Sequence, residues 1–226
     1  MIDALAIDTT SDVLSLAAAR AGAAPETHYA VTGTAITTTF FAELGRVLAR
    51  AGLAPEQLGL VVAACGPGSF TGTRIGLAVA KTLAQLGGLP LVGVDTLRLL
   101  AAQGEPEEGS TIHALLNCAR DEVYHAPFTR RGGVLHALAP IALTTFQRLP
   151  ALVGEAPVVL RRFNPAQPGH EEALERLNRA PLAHPAPDGS LLLREGLAIW
   201  RRAAGGRLPP VEPIYLKSEA FRKWKP

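Results

Sequence analysis

Cysteine is nearly absent from this 226-residue chain, which has only Cys65 and Cys118. Two cysteines cannot build a disulfide framework, and no CxxC pair or Cys/His cluster marks a zinc site. Each lies in an apolar run, so two buried free thiols in a reducing compartment are expected. Charge is also scarce: Asp, Glu, Lys and Arg make up 19% of the residues against 48% hydrophobic, with a net charge of +2. Such a chain is too apolar and too nearly neutral for a disordered protein. No uncharged apolar run approaches the roughly 20 residues of a membrane span. The first residues, Met-Ile-Asp-Ala-Leu-Ala-Ile-Asp, lack a basic region and carry Asp3 and Asp8, unlike a signal peptide. The expectation is a cytoplasmic protein with no membrane partner. At roughly 100–200 residues per domain, it forms one large domain or two small ones.

Lysine is the third scarcity, at 4 against 18 arginines, a bias that reflects base composition more readily than function. The basic residues are unevenly spread. Residues 1–110 hold 6 basic and 10 acidic residues, and residues 111–226 hold 16 and 10. The mildly basic second half reads as an Arg-rich solvated surface or as a surface for nucleic acid or an acidic partner.

Residues 4–8 and 13–19 read as two strands joined by the polar turn Thr9-Thr10-Ser11-Asp12, with a third strand over residues 27–31. Phe40, Phe41, Leu44, Val47, Leu48 and Ala51 form one wide apolar stripe and predict a helix over 37–51. Residues 58–65 form a continuous apolar run, as for a central strand covered on both faces. A loop over 66–74, a helix over 73–86, a strand over 90–94 and a helix over 96–103 follow. Glu105 to Ser110 is the best linker, so the predicted units are residues 1–104 and 111–226. After it come strands over 113–117, 123–128 and 134–137, which restart the opening meander and suggest a duplicated architecture without a residue-level repeat. Beyond Pro140 the chain is proline-rich, with helical patterns only at Glu171–Arg179 and Ser190–Ala204. A final short strand is predicted at Ile214-Tyr215-Leu216.

Two segments could carry chemistry. The loop Gly66-Pro67-Gly68-Ser69-Phe70-Thr71-Gly72-Thr73-Arg74 follows a buried strand and opens a helix, the setting of an anion site. Its G-x-G-x-x-x-G spacing fits neither the dinucleotide fingerprint nor a P-loop, and it does not match G-x-S-x-G. The competing reading is a structural glycine turn with Ser69 or Thr71 capping the helix. The turn Asp8-Thr9-Thr10-Ser11 either holds a metal-bound phosphate or closes the hairpin through local hydrogen bonds. The six histidines (His28, His113, His125, His136, His170 and His184) show no metal-site spacing, and no Ser/His/Asp order stands out. No catalytic or metal-binding residue is therefore assigned.

Leu5-Ala6-Ile7-Asp8-Thr9-Thr10-Ser11, the block Gly66-Pro67-Gly68-Ser69-Phe70-Thr71-Gly72-Thr73-Arg74-Ile75-Gly76, and Gly93-Val94-Asp95-Thr96-Leu97 together resemble the bacterial TsaB (YeaZ) family. The likeness covers residues 1–128 and returns faintly at Pro213-Ile214-Tyr215-Leu216. It implies an α/β, actin/Hsp70-like (ASKHA) fold of two ribonuclease-H-like lobes, the second shortened. It also implies a non-catalytic subunit that supports a TsaD-type catalytic paralogue, with a TsaE-type ATPase. Together these form N6-threonylcarbamoyladenosine at position 37 of tRNA, which the subunit meets through the complex; alone, it is expected to homodimerise. The predicted helix at 37–51 lacks the helical histidine pair that holds the catalytic relative's metal. Asn117, in Asn117-Cys118-Ala119-Arg120-Asp121-Glu122-Val123-Tyr124, replaces a carboxylate and weakens any Mg²⁺ site.

On that reading Asp8, Thr9, Thr10, Gly66, Gly68, Ser69 and Thr71 are a vestigial phosphate site. No cofactor is required, and the isolated chain is not expected to bind ATP or ADP. The partner interface is expected on Phe40, Phe41, Leu44, Val47, Leu48, Ile75, Val79 and Leu83, in a four-helix arrangement. Phe40→Asp with Leu44→Asp is then expected to abolish partner capture and leave a folded monomer. The alternative is an active ATP-dependent phospho- or acyltransferase of the same fold, with Asp8, Thr10, Gly68 and Ser69 touching phosphate.

Overall fold

The computed structural model describes residues 2–31, 35–119, 122–161, 186–203 and 206–216. The predicted helix at Glu171–Arg179 lies outside them, as do His170 and His184.

The first sheet is built as the apolar pattern requires. β1 (Ala4–Asp8) and β2 (Val13–Ala19) are buried at every position, and β3 (Glu26–Val31) is the half-exposed edge. β4 (Leu60–Ala64) and β5 (Leu91–Val94) complete the order β3-β2-β1-β4-β5. β1–β2 and β2–β3 pair antiparallel, and β1–β4 and β4–β5 pair parallel. β4 is buried on both faces, which accounts for its unbroken apolar run.

α1 (Ile36–Arg50) and α2 (Phe70–Gly87) cover the outer face of this sheet, where Leu5, Ile7, Phe40, Leu44, Val47 and Leu77 form one cluster. α2 starts three residues before the predicted Thr73. Ser69 caps it, its Oγ accepting from Gly72 N at 3.1 Å, so the first turn takes in part of the loop. Gly88, at φ 61°, ends it in the left-handed conformation. α3 (Thr96–Gln103) is capped by Asp95, whose Oδ1 accepts from Arg98 N at 2.7 Å.

The second sheet also has five strands, and four of them repeat the arrangement of the first. β6 (Thr111–Ala119), β7 (Glu122–Arg131), β8 (Val134–Ala137) and β10 (Val158–Arg161) run in the order β10-β6-β7-β8, with β10 parallel to β6. That is the β4-β1-β2-β3 arrangement again, so the duplication suggested by the two meanders is a duplication of topology. β9 (Ala142–Thr145) pairs with the other half of β7. α4 (Leu149–Val153) packs on the outer side with Phe146, Leu115 and Leu160. Proline at 140, 150 and 157 hides the periodicity of β9, α4 and β10 from sequence reading.

The last helix, α5 (Gly189–Ala203), belongs by sequence to the residues 111–226 unit but packs across β1, β2, β4 and β5 of the first sheet. α3, from the first unit, packs across β6, β7, β8 and β10. Small residues permit the close layering: Ala4, Ala6, Ala17 and Ala19 face the helices, and a Cβ on Gly196 would lie 2.3 Å from Val62 Cγ1. A half-buried ion pair locks the middle layer: Arg98 Nε donates to Glu195 Oε2 and Arg98 Nη2 to Leu135 O, each at 3.0 Å. The layers therefore run helices, sheet, helices, sheet, helix.

The Ile214–Leu216 segment is not a strand, but Ile214 N donates to Cys65 O at 2.9 Å beside the end of β4. No helix among the described residues is long and apolar enough to cross a membrane.

Candidate functional site

The two segments singled out in the sequence meet and lock together. Asp8 is fully buried, and its Oδ1 accepts from Thr10 N (2.8 Å) and Thr10 Oγ1 (2.7 Å). Thr9 Oγ1 donates to Gly72 O at 2.7 Å, and Ser69 N donates to Thr10 O at 2.7 Å. Thr96 N donates to Gly66 O, and Thr96 Oγ1 reaches Thr10 Oγ1 at 3.5 Å.

The glycine spacing follows from this contact. A Cβ on Gly68 would sit 2.2 Å from Thr10 O, one on Gly72 2.0 Å from Thr9 O, and one on Gly76 2.2 Å from Thr9 Oγ1. Thr9 and Thr10 are about 1% exposed. Amides at the start of a helix hold an anion when they are free. Here Gly72 N and Ser69 N are already engaged by the chain's own oxygens. Of the expected phosphate residues, Thr71 alone is exposed, and Gly68 and Ser69 are half-buried.

Other groups gather at the rim. Arg74 lies over the Phe70 ring at 3.7 Å, and its Nε donates to the Tyr215 hydroxyl at 3.1 Å. Nothing in the sequence signals this pairing across 141 residues. Asn117 is buried at the β6–β7 irregularity, where its Nδ2 donates to Glu122 O at 3.4 Å. Both cysteines are free; burial, with Asp95 nearby, pushes the Cys65 thiol up to about 12, while Cys118 is only half-buried.

The expected partner interface divides in two. Phe40, Leu44, Val47 and Leu48 are buried in this chain's own core, so they present no face to a partner. With both residues buried, a charge at Phe40 or Leu44 is expected to destabilise the monomer rather than leave it folded. Phe41 points the other way: it is 68% exposed and rests edge-on against Phe40, with centroids 5.5 Å apart. Ile75, Val79 and Leu83 are half-buried along α2, and Leu86 is exposed. Gly45 lies on the exposed side of α1, with nothing within 4 Å of where its Cβ would be.

The histidines contain one pairing that spacing along the chain conceals. His113 Nδ1 and His125 Nε2 lie 2.7 Å apart with nearly parallel rings, both residues buried on β6 and β7. Burial lowers both from their ordinary values, and His125, with His113 beside it, falls to about 4. The folded state then holds these rings neutral while the unfolded chain, near 6.5, takes up protons. Stability is therefore expected to fall as pH drops from about 6.5 towards 4. Thermal midpoints across that range should flatten in His125→Gln; an identical slope would refute the assignment. His28 instead pairs with Glu43 at 3.2 Å. Among the described residues no group of three or more His, Cys, Asp or Glu side chains could hold a metal ion.

The strand order, the repeated sheet and the layered helices define an α/β protein of the actin-like class, built from two ribonuclease-H-like lobes. Residues 37–179 match the model of the TsaD family, tRNA N6-adenosine threonylcarbamoyltransferase, and the chain belongs to that family. It is 39% identical over 88 residues to the tRNA threonylcarbamoyladenosine biosynthesis protein TsaB of Bacillus subtilis, covering 39% of this chain and 38% of that one. It is 31% identical over 134 residues to the same-named protein of Escherichia coli, covering 58% of each. The chain thus spans about half the length of the curated relatives it matches. The solved structure of YeaZ from Pseudomonas aeruginosa is 26% identical, with a TM-score of 0.78 over 96% of this chain and 100% of that one.

Proposed function

We propose that this chain is a non-catalytic subunit that docks on a TsaD-type catalytic paralogue. In that role it supports the formation of N6-threonylcarbamoyladenosine at position 37 of tRNA, with a TsaE-type ATPase as a further component. The isolated chain, on the same reading, forms a homodimer through the same face, works in the cytoplasm, and needs no cofactor.

The outward face of α1 and α2 carries this reading. A glycine inside a helix costs about 1 kcal/mol relative to alanine, and Gly45 touches nothing in its own chain that would offset this. A partner helix approaching between Phe41 and Gly45 accounts for both the bare backbone and the exposed ring beside it. The interlocked turn and loop add support, because Ser69 N and the Thr9 hydroxyl are spent on Thr10 O and Gly72 O.

Capture of the TsaD-type protein on immobilised chain tests the proposal. Gly45→Leu should leave the monomer at least as stable and reduce capture at least tenfold, and Phe41→Asp should do the same without loss of fold. Undiminished capture by both variants would overturn it. The competing transferase reading instead requires micromolar binding of Mg-ATP by the isolated chain, measured by calorimetry.

A further inference from the structure

We propose that residues 217–226 bind RNA, from a starting point that the preceding segment fixes beside the first turn of α2; the choice of RNA rests on the tRNA role proposed above. The chain has four lysines, and three of them, Lys217, Lys223 and Lys225, fall in these ten residues, where an even spread would put fewer than one. A base composition that favours arginine elsewhere does not produce such a cluster. Arg222 adds a fourth cation against the single acidic residue Glu219, and Phe221 and Trp224 lie among them. Closely spaced cations with interleaved aromatic rings suit single-stranded nucleic acid, the cations meeting phosphates and the rings stacking on bases. An acidic peptide would also engage the cations, but only a nucleic acid offers a run of flat faces to both rings.

The residues before this segment are strapped to the first sheet. Val211 is buried beside Gly93, whose Cβ would lie 3.2 Å from Val211 Cγ1. Glu212 pairs with Lys81 at 2.8 Å, Ile214 N donates to Cys65 O, and the Tyr215 hydroxyl accepts from Arg74. Lys81 and Arg74 lie about two turns apart on α2. The strap therefore runs antiparallel to the helix and delivers Leu216 to its first turn, beside the Gly66 loop. α1 packs over β2 and β3, whereas the strap covers Cys65 and Gly93 on the side of β4 and β5, so residue 217 starts away from Phe41 and Gly45. At that starting point Tyr215 and Leu216 are exposed, and the Tyr215 ring lies against Phe70 with centroids 5.1 Å apart. Arg74, exposed over the Phe70 ring, places a further cation in the same patch.

Fluorescence anisotropy of the full chain with a labelled RNA stem-loop of tRNA anticodon-arm sequence tests this. Deletion of residues 217–226 should weaken binding at least tenfold. The slope of log K against log salt should fall by about 3, for four lost phosphate contacts. Trp224→Ala should weaken binding at least fivefold with the slope unchanged, because stacking carries no net charge. Both changes lie beyond Val211 and Ile214, so the thermal midpoint of each variant should match that of the parent chain. Absence of binding by the full chain at roughly 100 µM and low salt, or undiminished binding by either variant, would overturn the proposal. So would a deletion that spares RNA binding and abolishes capture of the TsaD-type protein, which assigns the segment to the protein interface. Failure of the docking proposal alone reads differently, as RNA binding by a chain that captures no paralogue.

Discussion

Gly72→Ala is expected to lower the unfolding free energy by about 3 kcal/mol, measured by denaturant titration. The added methyl would lie 2.0 Å from Thr9 O, and that oxygen is backbone. Either the first turn of α2 or the β1–β2 turn must move by more than an ångström. That movement strains the Thr9 Oγ1 to Gly72 O and Ser69 N to Thr10 O bonds, each 2.7 Å long. Alanine's better helix propensity returns at most about 1 kcal/mol, so the clash wins. Gly76→Ala differs in kind, because its Cβ meets the Thr9 hydroxyl. Thr9→Ala should therefore partly rescue Gly76→Ala and leave Gly72→Ala unrescued. Equal rescue of both would show that the glycines answer to something other than this contact.

Phe40→Asp should prevent folding, or cost at least about 4 kcal/mol, a large part of the roughly 5–15 kcal/mol that holds a domain together. Phe40 is 1% exposed and packs with Leu5, Ile7, Leu14 and Val47 beneath α1. The same change at the neighbouring Phe41 should leave the melting temperature within a few degrees, since that ring is largely in solvent. Circular dichroism melts of the two variants decide the matter. Equal damage would mean that Phe41 is also part of the core.

The contrast between these two rings shows where sequence reading stops. A stripe at helical spacing identifies the helix and its apolar side, and α1 lies within a residue of the predicted span. Periodicity does not resolve the edge of the stripe, however, where a 100° step separates a core residue from an exposed one. The opening strands, α3 and the β6–β7–β8 meander were legible because their apolar runs sit between clear turns. β9, α4 and β10 were not, because proline breaks their pattern. The three-glycine block was visible as a motif, but its physical reason was not, since the β1–β2 turn it packs on lies some 60 residues away in sequence. His113 with His125 and Arg74 with Tyr215 belong to the same group: each acquires meaning only through a neighbour that folding brings to it.

The exchange of α3 and α5 between the two sheets has a consequence for how far such a chain can be trimmed. Each sheet is covered on its inner face by a helix encoded in the other half of the chain. Cut between the halves, each sheet would lose that cover, so the two are expected to unfold together. Shortening of the second half can remove edge strands and outer helices at its periphery. It cannot reach α5 without uncovering Ala4, Ala6 and Val62 in the first half, so the minimum size of the second lobe is set by the needs of the first.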